Sequence, residues 1–148
     1  MNNYTIAFPV LVEEMSPASI FTIVREMENE QGNYFTAAQA KEMEESGYVK
    51  VYSHNIDHID CTTVSGPEFN RELERAYESL RSVLGAKELF FAYPYGSYNT
   101  STYVNVRDNG FRLQMVQKRL FAADDLIVRQ NVWYTSNMAS LVKKAPKN

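Results

Sequence analysis

Apolar patterns typical of strands and of helices alternate along nearly the whole 148-residue chain. The predicted strands are short runs rich in β-branched and aromatic residues, bounded by turn residues. They cover residues 19–24, 48–53, 89–93, 113–116 and 126–128. Strands that alternate with helices over short loops predict an α/β fold with a mainly parallel sheet, either open or closed into a barrel.

The helices between these strands are predicted from apolar periodicity and from capping residues. Thr36 and Gln39 form a capping box that opens a helix ended by Gly47. The strongest pattern begins at Ser65 and ends at Gly85. Further helices are predicted around residues 6–15, over 100–109 and through Met138, Leu141 and Val142, followed by a frayed basic tail at 143–148.

Length and composition indicate a single domain over residues 1–148 and exclude several functions. The net charge of −3 gives no electrostatic attraction to nucleic acid, and no apolar run reaches the roughly twenty residues of a membrane span. Cys61 is the single cysteine, which excludes an intrachain disulfide and a cysteine-based zinc site. The start of the chain, Met-Asn-Asn-Tyr, has neither the basic region nor the apolar core of a signal peptide.

Two segments follow predicted strands directly, and the carboxyl ends of parallel strands are where such folds carry chemistry. The first, residues 54–58, holds both histidines of the chain, His54 and His58, at a spacing of four. Two imidazoles at this spacing can face one metal ion if the loop forms a helical turn. Two solvent-exposed or hydrogen-bonded loop histidines are the competing interpretation.

The second segment, Phe-Ala-Tyr-Pro-Tyr-Gly at residues 91–96, breaks a strand with Pro94 and supplies Gly96 for a tight turn. Such a turn can direct backbone N–H groups into a cleft, where they hold a developing oxyanion. The alternative is an ordinary loop in which Asn99 or Thr100 caps the next helix.

Two charged positions further along the chain are weaker candidates. The Asp124–Asp125 pair has polar neighbours and a strand after it, which favours a solvated turn over paired catalytic carboxylates. Arg129 ends the last predicted strand, where a barrel would point it at the cleft. It would there orient an acid or bind a sugar hydroxyl, and a surface arginine is the alternative.

In this order and spacing, the two segments resemble motifs of the polysaccharide deacetylase family, also called the NodB-homology family or carbohydrate esterase family four. Ser-His-x-x-x-His at 53–58 is similar to its second motif, and Phe-Ala-Tyr-Pro-Tyr-Gly at 91–96 to its third. Ala92 stands where other branches of the family have Arg. The segment Leu-Ile-Val-Arg-Gln-Asn-Val from residue 126 resembles a later Arg-containing strand, so the resemblance covers nearly the whole chain.

The resemblance implies a distorted (β/α) barrel of the NodB-homology, glycoside hydrolase/deacetylase type. The implied activity hydrolyses carbon–nitrogen bonds other than peptide bonds: it removes acetyl groups from N-acetylated polysaccharides or oligosaccharides in carbohydrate metabolism. His54 and His58 would be ligands of a divalent metal, zinc or a similar ion, and the backbone N–H of Tyr95 would hold the oxyanion. Tyr93, Pro94 and Gly96 would line the substrate site. Members of such a family are usually secreted or in the cell envelope.

The chain also departs from the family pattern. It begins at a stretch that resembles the helix after the family's opening strand, so the two carboxylates of the first motif, a catalytic base and a third metal ligand, are expected to be missing. Many members use a late histidine as general acid, and here both histidines are assigned to the metal. We therefore expect a weakly held ion and an impaired or inactive enzyme. A non-catalytic member that binds carbohydrate or protein through the cleft is the alternative.

The missing strand carries a prediction about assembly. An incomplete barrel would leave strand 19–24 with an unpaired edge, and such edges recruit partners. We expect a homo-oligomer in which a second copy covers the gap. The alternative is that residues 2–7 leave their helix and fill the vacancy as a strand.

Overall fold

The fold is built on one parallel sheet of five strands in sequential order. The computed structural model describes residues 3–30, 32–85 and 89–129. Its strands are β1 (Ala18–Thr22), β2 (Val49–Ser53), β3 (Leu89–Ala92), β4 (Phe111–Val116) and β5 (Leu126–Val128), paired in the order β1-β2-β3-β4-β5. Every neighbouring pair is parallel, which confirms the predicted mainly parallel sheet.

Helices connect most of these strands. They are α1 (Phe8–Glu13), α2 (Val24–Glu28), α3 (Ala37–Glu45), α4 (Gly66–Leu84) and α5 (Thr100–Asp108), with a π-helical turn at Asn3–Ala7 and a 3₁₀ turn at Pro94–Gly96. The capping box of Thr36 and Gln39 opens α3 as predicted. Ser65 caps α4, and Gly85 ends it in the left-handed conformation, with φ 63°.

The core lies between the helices and one face of the sheet. The stripe predicted for α4 is buried at Phe69, Leu73, Ala76 and Leu80, which pack in one cluster with apolar residues of β2, β3 and β4. On the opposite face, Phe21, Tyr52 and Phe90 are half-buried. Across β1, β2 and β3 the rings of Phe21, Tyr52 and Phe90 form a ladder with centroid separations of 5.6 and 4.4 Å.

The first strand is shorter than its sequence suggests. The sequence pattern predicts a strand that extends to residue 24, but β1 ends at Thr22 and Val24 begins α2. The N–H groups of Val24 and Arg25 donate to the carbonyl oxygens of Asn55 and Ile56 instead of extending the ladder. Because a β-branched run fits both a strand and a buried helical turn, its composition did not reveal this change.

The ends of the described chain bear on the assembly prediction. β1 and β5 are the edge strands of the described sheet. Residues Asn3–Ala7 form a π-helical turn, so the alternative of a makeshift strand from residues 2–7 is wrong for the residues the structure describes. The predicted helix through Met138 and the tail at 143–148 lie outside the described residues. Among the helices of the described ranges, none has the length and apolar character that crossing a membrane requires.

Candidate functional site

The loops after β2 and β3 meet at the carboxyl edge of the sheet. His54 follows directly on β2, and the Pro94–Gly96 turn lies one residue beyond β3. The ring of His58 lies 4.9 Å from that of His54 and 4.8 Å from that of Tyr95, centroid to centroid. The tertiary structure therefore brings together the two segments that the sequence singled out.

His54 is fixed by contacts with both neighbouring strands. Its backbone N–H donates to Thr22 O at 2.7 Å, and its Nδ1 lies 2.6 Å from Ala92 O. Burial, with smaller effects from the charges of His58 and Arg129, lowers its pKa to about 4 against the opposing effect of the Ala92 bond. The ring is therefore neutral at pH 7, Nδ1–H donates to the carbonyl, and Nε2 keeps its lone pair. A carbonyl that orients the second nitrogen is common in histidine metal ligands.

His58 completes a pair of imidazoles but not a full metal site. Its backbone has φ 55°, a left-handed conformation that is uncommon outside glycine. Within residues 3–30, 32–85 and 89–129, no group of three or more His, Cys, Asp or Glu side chains is arranged to hold an ion. The chemistry of the two imidazoles fits two ligands of zinc or a similar divalent ion.

The Pro94–Gly96 turn leaves one N–H group as the candidate oxyanion donor. The N–H groups of Tyr93, Gly96 and Ser97 donate to the carbonyl oxygens of Met115, Tyr93 and Pro94, respectively. Proline has no N–H to offer. Tyr95, at φ 58° between them, is the residue whose N–H these bonds do not use.

The predicted substrate-lining residues differ in exposure. The side chain of Tyr93 is fully buried, and its hydroxyl donates to Gln114 Oε1. Burial raises its pKa far above the usual range. Pro94 is buried as well, while Gly96 is half-buried and the Tyr95 ring is 63% exposed. Any contact of Tyr93 with substrate would therefore come from its backbone, and the exposed ring at this edge belongs to Tyr95.

Arg129 lies close enough to the histidine pair for its charge to depress the pKa of His54. Its N–H donates to Val116 O at 2.8 Å, which continues the β4–β5 register by one residue. Its Nε is buried and has no hydrogen-bond partner among the described residues. Burial lowers the pKa of the guanidinium. Arg129 is half-buried, and its role at the cleft stays a prediction.

Asp124 and Asp125 form a turn, as the sequence favoured. Asp125 accepts a hydrogen bond from the Tyr103 hydroxyl at 2.6 Å, a contact that ties this turn to α5. The pair therefore has a structural explanation in the connection between β4 and β5.

Sequence reasoning missed a cavity of about 390 Å³ beside His54. The end of β1 and the residue after it line one side, and Asn33, Tyr34 and Phe35 of the loop before α3 line another. It also missed the ion pair that joins Arg25 of α2 to Asp57 of the histidine loop, residues 54–58. The Asp between the two histidines was the available signal, but its partner is 32 positions away in the chain.

Comparison with known proteins gave a clear match at the level of the family. The model of the family described as "Polysaccharide deacetylase" matches residues 1–114. No curated protein matched the chain.

Several solved structures are similar in fold. A de-N-acetylase from Aggregatibacter actinomycetemcomitans is 16% identical with a TM-score of 0.82, over 95% of this chain and 69% of that one. IcaB from Ammonifex degensii is 26% identical with a TM-score of 0.77, over 89% of this chain and 63% of that one. The Streptococcus pyogenes deacetylase PplD, solved with acetate, is 24% identical with a TM-score of 0.74, over 77% of this chain and 50% of that one.

These likenesses confirm the predicted fold class, an α/β fold of the distorted (β/α) barrel type. The chain spans 50% and 63% of the lengths of PplD and IcaB, respectively.

Proposed function

The chain belongs to the polysaccharide deacetylase family of hydrolases, and from this we propose that its two loops form part of a site that removes acetyl groups from N-acetylated sugars. The observation that carries the proposal is the meeting of His54, His58 and Tyr95 at one edge of the sheet. Two motifs that are weak separately lie side by side there. The substrate class is an N-acetylated polysaccharide or oligosaccharide.

His54 and His58 would hold the divalent metal. The neutral ring of His54, with Nδ1–H bound to Ala92 O, leaves Nε2 free to act as a ligand. When bound, a zinc or similar ion supplies Lewis-acid polarisation of the acetamide carbonyl and makes water a better nucleophile at neutral pH. Two protein ligands are fewer than the three of a typical catalytic zinc site, so the ion would be weakly held.

The remaining residues would bind and orient the acetyl group. The N–H of Tyr95 would donate to the carbonyl oxygen as negative charge develops on it. The guanidinium of Arg129, whose Nε has no hydrogen-bond partner among the described residues, would bind a carboxylate or a sugar oxygen. The exposed ring of Tyr95 offers an apolar face to a sugar ring, and Gly96 would line the site beside it.

Proton transfer is the step for which the described part of the chain offers no evident group. Both histidines of the sequence are assigned to the metal, and in the described part of the chain no carboxylate joins them in a group of three. Loss of a positioned general base costs about 10²–10⁴-fold in rate. We therefore expect little or no deacetylase activity from this chain alone.

The test measures zinc binding and acetate release on the same protein. Zinc titration should show weak binding that His54→Ala and His58→Ala each abolish. Acetate release from N-acetylglucosamine oligomers with zinc present should stay far below the roughly 1–10³ s⁻¹ of ordinary enzymes. Zinc-dependent release at ordinary rates would show that the missing base is dispensable or replaced. Zinc binding that survives both histidine variants would refute the metal assignment.

One alternative is a non-catalytic member that binds carbohydrate or protein through the cleft. It is favoured because the described ranges offer few metal ligands and no evident base. Titration with N-acetylglucosamine oligomers in the presence of a chelator separates the two functions. Binding that Tyr95→Ala weakens and that is indifferent to zinc would favour the alternative.

A further inference from the structure

The histidine loop rests on the first turn of α2. Val24 N–H donates to Asn55 O and Arg25 N–H to Ile56 O, both at 3.1 Å. Ile23, the residue that precedes α2, provides no side-chain cap. The loop carbonyls thus satisfy N–H groups that every helix start leaves unpaired. A displacement of either segment would break these bonds, so the loop and α2 are held as one unit.

A two-pronged ion pair reinforces this unit. Arg25 Nη2 donates to Asp57 Oδ2 at 2.6 Å, and Arg25 Nε donates to Asp57 Oδ1. A guanidinium bound to both carboxylate oxygens fixes the orientation of the carboxylate as well as its distance. The two side chains are 38% and 30% exposed, so the pair is partly shielded from solvent. Glu72 and Arg75 of α4 also lie near Asp57.

The loop needs such a restraint because its backbone is strained. Asn55 has φ 69° and His58 has φ 55°. Left-handed residues other than glycine are energetically unfavourable and persist only where the surroundings enforce them. His54 is held by hydrogen bonds to Thr22 and Ala92. The ring of His58, in contrast, packs against the rings of His54 and Tyr95. The conformation of His58 therefore depends on how the preceding residue, Asp57, is held.

We propose that Arg25 and Asp57 are positioning residues that hold the His58 ring between those of His54 and Tyr95. Arg25 lies on α2 and touches neither ring in the contacts described above, so it acts through Asp57 and the backbone of the loop. The part of this inference that concerns metal rests on the proposed function, since the histidine pair is taken there as the ligand set. The part that concerns ring position does not depend on any metal.

The position of His58 can be measured directly because the chain has two histidines, so only two imidazole rings need to be assigned. The experiment compares nuclear Overhauser contacts between rings in the wild-type protein, Arg25→Gln and the control Arg107→Gln. Arg107 is likewise a helical arginine paired with an aspartate, Asp108, but it lies on α5. Arg25→Gln should lose the contacts of His58 with Tyr95 and His54 and keep those of His54 with Ala92. Arg107→Gln should keep them all.

Zinc titration of the same variants gives a second reading. Removal of a group that orients a ligand typically weakens metal binding 10–100-fold, so Arg25→Gln should bind zinc at least about 10-fold more weakly than Arg107→Gln. If the wild-type protein binds no zinc, the proposed function fails while the ring contacts still decide the positioning role. If a folded Arg25→Gln protein keeps the His58 ring contacts, or binds zinc as tightly as a wild type that does bind zinc, the positioning role is refuted.

If Arg25→Gln does not fold, the same measurement is made on Asp57→Asn. This variant keeps the shape of the side chain and removes its charge. The same loss of His58 contacts, with His54 unaffected, is expected. Retained contacts in folded Asp57→Asn would overturn the proposal. Arg25→Lys preserves the positive charge but cannot donate to both carboxylate oxygens in the same geometry. It should give an intermediate loss of the His58 ring contacts.

Discussion

The pKa of Glu72 responds to the charged residues around the histidine loop, Asp57, Arg25 and Arg75. Its side chain projects from α4, where its Oε2 is buried without a hydrogen-bond partner among the described residues. Burial and, second, the negative charge of Asp57 raise its pKa, against the smaller effects of Arg25 and Arg75. The ionised form of Glu72 is therefore less stable in the folded protein than in the unfolded chain.

Replacement of this carboxylate predicts a pH-dependent gain in stability. Because the folded state holds the Glu72 proton more tightly, the free energy of unfolding falls as pH rises from the unfolded value, near 4.5, through the raised folded pKa. Glu72→Gln removes this loss, and the new amide can donate to Asp57. Since solvent screens part of the effect, we expect a gain of at most about 1 kcal/mol at pH 7. At pH 4 the variant should be close to wild type, in urea unfolding at both pH values.

The control is Glu78→Gln, which removes a carboxylate from an exposed position of the same helix. It should change stability little at either pH. A loss of stability in Glu72→Gln at pH 7 would mean that the attraction of this carboxylate to Arg25 and Arg75 outweighs its burial.

Among the elements, the Pro94–Gly96 turn combines a left-handed backbone with the candidate oxyanion donor. Two consecutive residues, Tyr95 and Gly96, have positive φ, at 58° and 70°. A Cβ on Gly96 would lie 2.9 Å from Cγ and Cδ of Gln117, an exposed side chain beyond β4. Gln117 can rotate away, so the cost of a side chain here is expected to come chiefly from the backbone conformation.

Gly96→Ala should therefore destabilise the protein by roughly 1–2 kcal/mol, the cost of a left-handed residue with a Cβ. Gly47→Ala is the matched control, since Gly47 has φ 78° and no neighbouring atom lies within 4 Å of where its Cβ would stand. Thermal unfolding should give similar losses for both variants. A loss for Gly96→Ala larger by more than about 1 kcal/mol would mean that Gln117 is held over the turn.

At the scale of the molecule, β1 is an edge strand of the described sheet, and its outer edge is where the predicted assembly would form. Ala18 N–H donates to Tyr48 O, and Thr22 O accepts from His54 N–H. By the alternation of a strand, Ala18, Ile20 and Thr22 direct their backbone groups to β2, while Ser19 and Phe21 direct theirs to the outer edge of β1. These two residues are where a sixth strand would pair with the described sheet.

We expect a homo-oligomer that uses this edge, and Ser19→Pro should weaken it. Proline removes the outward N–H of Ser19 and leaves the bonds to β2 in place. One lost hydrogen bond of about 1 kcal/mol corresponds to about a fivefold weaker association. Sedimentation at micromolar concentration should show a shift toward monomer in Ser19→Pro and none in Ser19→Ala. A wild-type monomer with normal thermal unfolding would show that the open edge needs no partner.

The sequence by itself determined the order and type of the main elements and the two segments that carry chemistry. Capping residues mark helix boundaries through local hydrogen bonds, as Thr36 and Gln39 do for α3, and the apolar stripe of α4 follows from helical period alone. The motifs around His54 and Tyr95 could be predicted as a site because each follows a buried strand. Parallel strands place their carboxyl ends at one edge of the sheet.

The tertiary structure alone decided how these segments meet. The change from β1 to helix at Val24 depends on carbonyl groups of the loop at Asn55 and Ile56, some thirty residues later. Other features also depend on residues distant in the chain. They are the Arg25–Asp57 ion pair, the burial of Tyr93 and the proximity of Arg129 to His54. Local propensity and spacing carry no information on such contacts, because their energies exist only once the sheet has brought the loops together.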